Sequence, residues 1–177
     1  MKKVILFSGL AFFLACSRDM QPLNPGDGDA FAFYFLADTT ITLYNIGDSS
    51  EEELQISNTP WLTANDIKLY HYSTHTIQLK KPLSEIFPEF EDSGKLMQEY
   101  NVKPFNIVAD GEKIYIAAFH AAYSSLSNIV PYIDLLGADL RQTSVLVLQK
   151  AWDGADTRRD PRVERVLKEL GIYDGGS

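Results

Sequence analysis

The hydrophobic positions of this chain fall into short runs, and several of these runs alternate with polar residues as β-strands do. Residues 31–36 form an aromatic-rich run between two aspartates, which predicts a strand covered on both faces. Alternation resumes briefly at residues 41–43. Beyond a tight turn at residues 61–66, residues 67–72 and 77–79 alternate again and predict a hairpin.

A second hairpin is predicted around the dipeptide Asp110-Gly111. Residues 105–109 alternate into this dipeptide, and residues 114–118 alternate out of it. Asp and Gly tolerate the positive φ angles that a two-residue hairpin turn needs. The dipeptide is therefore the strongest local signal in the chain.

The stretch that follows has no clear hydrophobic period. Residues 120–144 predict a long irregular crossing, in which three apolar side chains serve as anchors: Tyr132, Leu135 and Leu136. A further strand is predicted at residues 144–149, where alternation returns.

Short helices are predicted in the middle of the chain and a longer one near its end. Residues 82–87 and 93–100 form two pieces separated by Pro88, because proline cannot continue the helical hydrogen-bond ladder. The last helix has Asp160 as its cap and ends at Gly171. Its apolar stripe consists of Val163, Val166, Leu167 and Leu170.

These elements together predict an α+β fold. Six or more strands joined mostly as hairpins imply a mainly antiparallel sheet, accompanied by short helices and a C-terminal helix. Residues 30–177 are long enough for a single globular domain. A chain of this size buries about 70% of its unfolded surface, so it needs no disulfides to fold.

Residues 1–15 predict a lipoprotein signal peptide. Lys2 and Lys3 precede twelve mostly apolar residues, too few to span a bilayer core of about 30 Å. The segment leads into Phe13-Leu14-Ala15-Cys16, which resembles the lipobox of bacterial lipoproteins. This resemblance implies lipidation of Cys16, the only cysteine, with acyl chains such as palmitate holding the chain to the membrane. The alternative is an ordinary cleaved signal peptide whose cysteine is incidental.

Residues 16–29 predict a lipidated flexible tether. They are polar, rich in Pro and Gly, and without an apolar period. Such a segment holds a domain roughly 20 Å from the bilayer. Ser17 rather than Asp follows Cys16, which in lipoprotein sorting favours the outer membrane. We therefore expect a bacterial cell-envelope location, on the periplasmic face or at the cell surface.

The charge of the chain excludes one large class of partner. The formal net charge is −8, and it becomes more negative when Lys2 and Lys3 leave with the signal peptide. Nucleic acid binding rests on clustered Lys and Arg, so we expect no nucleic acid partner. No cofactor-binding or catalytic motif stands out. The leading hypothesis is a non-enzymatic binding or accessory domain for an envelope protein partner.

Two segments resemble a known family. Leu62-Thr63-Ala64-Asn65-Asp66-Ile67 precedes a predicted strand, and Asn106-Ile107-Val108-Ala109-Asp110-Gly111-Glu112-Lys113-Ile114 forms the later hairpin. Together with the helical stretch between them, they resemble the periplasmic head subdomain of SecDF-type translocation accessory proteins, over residues 62–135. The resemblance implies the fold of that subdomain and a capacity to hold extended polypeptide.

An alternative hypothesis is a metal-dependent or other hydrolase. Its candidate residues are His71, His75 and His120, with Asp66 or Asp110 as a carboxylate. Histidines four residues apart share a metal-binding face only on a helix, whereas His71 and His75 flank a predicted strand end and turn. The sequence therefore assigns no metal site and no catalytic residue.

A cluster of arginines and a set of strand tyrosines are two further candidate binding groups. Arg158, Arg159, Arg162 and Arg165 cluster around the last helix, and we interpret them as a helix face paired with local aspartates, although such a cluster can also hold an anion. Tyr70, Tyr72 and Tyr115 fall on predicted strands. Tyrosines on a sheet face stack on sugars, so a carbohydrate-binding surface lipoprotein is the second alternative.

Overall fold

The structure is a computed structural model that describes residues 30–49, 54–121, 129–136, 139, 142–152 and 155–176. Within these residues, nine strands form one sheet. Their bounds are β1 (Phe31–Phe35), β2 (Leu62–Thr63), β3 (Ile67–His71), β4 (Thr76–Leu79), β5 (Pro104–Ala109), β6 (Glu112–His120), β7 (Tyr132–Asp134), β8 (Val145–Gln149) and β9 (Tyr173–Asp174).

Three α-helices accompany the sheet: α1 (Leu83–Ile86), α2 (Ser93–Glu99) and α3 (Pro161–Glu169). Short 3-10 helices occupy Ile46–Asp48, Ala64–Asp66, Pro88–Glu91 and Thr157–Arg159. The predicted α+β class is confirmed, with a mostly antiparallel sheet, short helices and a C-terminal helix.

The sheet is strongly curled. Its strand order is β2-β1-β5-β6-β7-β8-β4-β3-β9, and neighbours are antiparallel except for the parallel pairs β6–β7 and β3–β9. Five strands separate β1 from β3, so a flat sheet would hold these two about 29 Å apart. The rings of Phe31 in β1 and Tyr70 in β3 instead have centroids 6.0 Å apart. The concave face therefore wraps around the core.

Aromatic side chains fill much of this concave face. The ring of Trp61 lies 5.4 Å from that of Phe33, 5.3 Å from that of Phe105 and 5.2 Å from that of Phe119, measured between centroids. Phe90, in the 3-10 helix between α1 and α2, packs edge-on against Phe119 at 5.3 Å. Tilted and edge-on pairs are favoured arrangements of aromatic rings. Through Phe90, the segment that joins α1 and α2 therefore packs against the core.

Helix α3 spans the two ends of the curled sheet. It packs against β1 and β5 near one end and against β9 at the other. The carboxylate of Asp160 caps its N-terminus by accepting the backbone N–H of Arg162 at 2.8 Å, and Gly171 follows its end with a φ of 70°. The predicted cap and stop are confirmed, and the predicted stripe is buried at Val163, Val166 and Leu167.

Both predicted hairpins are confirmed, because β3 pairs with β4 and β5 pairs with β6, each antiparallel. Asp110 and Gly111 have φ angles of 51° and 75°, as a type I′ turn requires. An ion pair of 2.7 Å between Asp110 and Arg165 ties this turn to α3.

The chain that follows β1 covers part of the convex face. Leu36, Ile41 and Ile46 are buried together against Ile116 of β6. The alternation at residues 41–43 buries side chains without forming a strand, because the backbone turns there and the carbonyl of Thr42 accepts the N–H of Ile46 at 3.0 Å. The middle of β6 is thereby covered on both faces.

The sequence analysis missed β2, β7 and β9, and it misjudged one anchor. These strands are two or three residues long, which is too short for a hydrophobic period. β2 and β9 also pair with strands distant in sequence, whereas β7 pairs with β6 and β8, the strands before and after it in the chain. Leu135 is buried as predicted, but Leu136 is 49% exposed, so the prediction that Leu136 is an anchor is wrong. Much of the predicted crossing lies outside the described residues.

Candidate functional site

Strand β8 exposes apolar side chains on the convex face of the sheet. Leu146 and Leu148 point into the core, so strand alternation turns Val145 and Val147 outwards. These two valines are 42% and 38% exposed. Single exposed apolar residues need no explanation, but two neighbours on one strand face form a continuous surface.

The strands beside β8 extend this surface. Thr76 and Gln78 of β4 stand opposite Val147 and Val145, and Tyr132 of β7 stands opposite Gln149. His71 of β3 is the cross-strand neighbour of Thr76. We call this set the convex patch, and it consists of His71, Thr76, Gln78, Tyr132, Val145, Val147 and Gln149. No side chain in this set is an aspartate, glutamate, lysine or arginine. One acidic residue, Asp134, lies on the same face at the end of β7, where it is the cross-strand neighbour of His120.

His71 lies at the edge of the convex patch and is fixed by two hydrogen bonds. Its Nδ1 is 2.5 Å from a carboxylate oxygen of Asp174 in β9, and its Nε2 is 2.8 Å from the side-chain nitrogen of Gln78. The hydrogen bond from the backbone of Gly176, and after it the one from His71, lower the pKa of Asp174. His71 therefore joins β9 to the sheet through its side chain.

His75 occupies the turn between β3 and β4, in a left-handed conformation with φ 52°. It is 1% exposed, and its Nδ1 shares a 3.1 Å hydrogen bond with the hydroxyl of Tyr70. Burial, with a smaller contribution from Arg158, lowers the pKa of His75 to about 4. The ring is therefore neutral at pH 7.

Arg158 is hydrogen-bonded to the polar groups near His75. Its guanidinium donates to both carboxylate oxygens of Asp156 at 2.7 Å and to the carbonyl of Leu148 at 2.7 Å. The hydrogen bonds from Arg158 lower the pKa of Asp156 to about 2. Burial raises the pKa of Tyr115, whose hydroxyl lies near that of Tyr70. The hydrogen bonds of Arg158 hold the segment after β8 against the sheet, which is a structural role.

His120 ends β6 on the convex side and is fully buried. Its ring packs edge-on against that of Tyr132 at 5.7 Å, and neither ring nitrogen has a hydrogen-bond partner within the described part of the chain. Burial lowers the pKa of His120. The three histidines thus contact different groups, and the fold does not bring them together. Among the described residues, no set of three His, Cys, Asp or Glu side chains is arranged to hold a metal.

The two candidate carboxylates are engaged elsewhere. Asp66 accepts the backbone N–H and the hydroxyl of Thr63 at 2.9 and 2.7 Å and so caps the Ala64–Asp66 helix. Asp110 forms its ion pair with Arg165. The arginines of the last helix region pair with local carboxylates as interpreted, since Arg162 also binds Asp160 at 2.9 Å.

The remaining candidates are buried, half-buried or outside the described residues. Tyr72 is half-buried, and its hydroxyl donates to the carbonyl of Asp160 at 3.2 Å. Tyr70 is fully buried and Tyr115 is 9% exposed, so neither presents a ring face to solvent for a sugar. Cys16 and the rest of the tether, residues 16–29, lie outside the described residues.

A cavity of about 390 Å³ opens on the convex side, at the other end of β6 from His120. Eight of its lining residues are aliphatic: Leu54, Ile114, Ile116, Ile129, Val130, Pro131, Ala151 and Ala155. Asn106 of β5 and Lys113 of β6 add polar groups. The sequence analysis did not single out Asn106, although one amide inside the apolar run of residues 105–109 was a signal for it.

No protein-family model, no curated protein and no solved structure matches the chain. Within the described part of the chain, we find no helix with the length and apolar character needed to cross a membrane.

Proposed function

We propose that this chain is a lipid-anchored lipoprotein of the bacterial envelope, attached through Cys16, whose globular domain is a non-enzymatic binding or accessory module for a protein partner. The convex patch is the observation that carries the binding part of this proposal. The lipobox-like segment and the tether of residues 16–29 support the anchoring part and an outer-membrane location.

The composition of the convex patch fits a protein surface as its occupant. Centres of protein interfaces are depleted of charged residues and combine apolar area with hydrogen-bonding groups. Val145 and Val147 provide the apolar area, while Thr76, Gln78 and Gln149 surround it with neutral hydrogen-bonding groups. The expected partner therefore presents an uncharged, partly apolar surface of its own.

A photocrosslinking amino acid at position 145 tests this proposal in intact cells. We expect one discrete envelope protein to crosslink from position 145, and a tagged copy of that protein to recover the chain in return. Val147→Asp places an unpaired charge in the centre of the patch and should reduce the crosslink about tenfold or more, as 1.4 kcal/mol or more of lost affinity implies.

The matched control places the crosslinker at Glu99, which lies at the end of α2 and is also exposed. We expect no discrete product from that position. Equal products from positions 99 and 145, or a product that Val147→Asp leaves unchanged, would contradict the proposed interface.

The anchor is tested by mass spectrometry of the mature N-terminal peptide. We expect Cys16 to carry diacylglycerol and an acylated amino group, and Cys16→Ala to abolish labelling by a palmitate analogue. A bare thiol at Cys16 would refute the lipoprotein assignment while leaving the crosslinking result to stand or fall separately.

A further inference from the structure

The cavity on the convex side is a second candidate site, separate from the convex patch. Asn106 and Ile116 are cross-strand neighbours on β5 and β6, and both line the cavity. Residues 129–131 contribute a second wall, and Ala151, Ala155 and Thr157 contribute a third. Its volume of about 390 Å³ lies within the range of small-molecule pockets, about 300 to 1,000 Å³.

Asn106 is the polar group that the fold leaves unsatisfied at this cavity. Phe105 and Ile107 point into the core, so strand alternation directs Asn106 to the convex side. The residue is 3% exposed, and its side-chain nitrogen has no hydrogen-bond partner among the described residues. A buried amide nitrogen without an acceptor opposes folding, and a ligand oxygen that accepts its hydrogen bonds removes that cost.

Lys113 supplies the charge at this cavity. It is the only charged residue among the described residues that line the cavity. Within that part of the chain, its ammonium group has only a long contact of 3.4 Å with the carbonyl of Leu54. Asn106 and Lys113 both offer donors, and the remaining wall is mainly aliphatic. Donors beside an aliphatic wall favour an acceptor group carried on an apolar body.

We propose that the cavity binds a small amphiphilic carboxylate, with the carboxylate accepting hydrogen bonds from Asn106 and Lys113 and the hydrocarbon lying against the aliphatic wall. A medium-chain fatty acid has this chemistry. The site depends on neither the anchor nor the protein partner, so it can fail or succeed independently of the proposed function.

Photolabelling with decanoic acid that carries a diazirine at the end of its chain tests the site in the full chain, reconstituted in phospholipid nanodiscs. We expect the label on peptides that contain residues 114–116 or 129–131. Excess decanoate should displace it, whereas decylamine, of equal chain length but opposite charge, should not.

Two variants separate ligand binding from folding. Asn106→Leu keeps the approximate shape of the side chain and removes its donors, so labelling should fall about tenfold or more while the melting temperature is kept or raised. Ile129→Trp adds bulk at a position that is 56% exposed and should block the cavity without disturbing the core. Lys95→Gln, a charge change on α2 outside the cavity, should label as the wild type does.

Label spread evenly over the protein surface would overturn the proposal. So would displacement by decylamine as effective as displacement by decanoate. If Asn106→Leu fails to fold, Ile129→Trp decides, because undiminished labelling of that variant places the ligand elsewhere.

Discussion

Burial changes the protonation and the hydrogen bonding of several side chains in this protein. His75 and His120 are buried with lowered pKa values, whereas His71 is partly exposed and held by Asp174. Removal from water disfavours the protonated form of an imidazole, so both buried rings resist protonation. Burial also leaves the side-chain nitrogen of Asn106 without a hydrogen-bond partner among the described residues.

The lowered pKa of His75 predicts acid sensitivity. The native ring stays neutral down to about pH 4, whereas the unfolded ring takes up a proton below its ordinary pKa of 6.5. The unfolded state therefore binds more protons in this window, so the free energy of unfolding should fall as pH drops from 6.5 to 4, by about 3 kcal/mol from His75. Denaturant titrations at a series of pH values measure this loss.

His75→Asn is the test variant, because asparagine tolerates the positive φ at this position. It should flatten the pH dependence of the free energy of unfolding between pH 6.5 and 4. His120→Gln should separately reduce the same pH dependence, because the pKa of His120 is also lowered. An unchanged slope in His75→Asn would mean that this ring does not titrate as described.

Among the elements, the β5–β6 hairpin is specified most locally. Its turn needs two residues with positive φ, and Asp110-Gly111 provides them without help from the rest of the molecule. The carboxylate of Asp110 then pairs with Arg165, and Glu112 pairs with Arg162 at 3.0 Å. Exposed pairs of this kind contribute little, so the turn conformation itself is the main determinant.

Gly111→Ala is predicted to destabilise the protein by about 1 kcal/mol or more, because a φ of 75° is strained for alanine. Gly47→Ala is the matched control. Gly47 has no positive φ, and an added methyl group would meet nothing within 4 Å. Thermal unfolding should therefore show a loss at position 111 and little change at position 47. Equal effects at both positions would rule out backbone strain as the cause.

At the scale of the whole molecule, the curled sheet and α3 form one cooperative structure. The largest core cluster includes residues from both ends of the sheet, such as Phe31 and Tyr70, together with Val166 and Leu167 of α3. Because α3 touches both ends, loosening it should weaken the whole core at once. The described part of the chain should then unfold in a single transition.

Leu167→Ala is predicted to reduce the free energy of unfolding by about 2 to 5 kcal/mol, because Leu167 is fully buried and its truncation leaves a cavity. Leu136→Ala, at a leucine that is 49% exposed, should change it by less than about 0.5 kcal/mol. Near-UV and far-UV circular dichroism should shift together in Leu167→Ala. Separate shifts of the two signals would indicate that α3 and the sheet unfold independently.

The sequence by itself determined the elements whose signals are local. The Asp110-Gly111 turn, the cap at Asp160 and the stop at Gly171 act over a few residues, so their consequences could be predicted without knowledge of the fold. Alternation likewise determined which residues of β4 and β8 share a face. In β3 it did not, because a bulge between Ile67 and Leu69 turns both Ile67 and Tyr70 into the core.

Only the tertiary structure determined whether each face of the sheet is covered by other residues or exposed to solvent. The parallel pairing of β9 depends on β3, a strand distant in sequence. Outward residues such as Ile116 and Val147 follow the same alternation, although one is covered and the other is exposed. The convex patch and the cavity at Asn106 therefore had no complete signature in the sequence. Alternation records which side a residue takes, whereas the curl of the sheet and the path of residues 36–46 decide whether that side faces solvent.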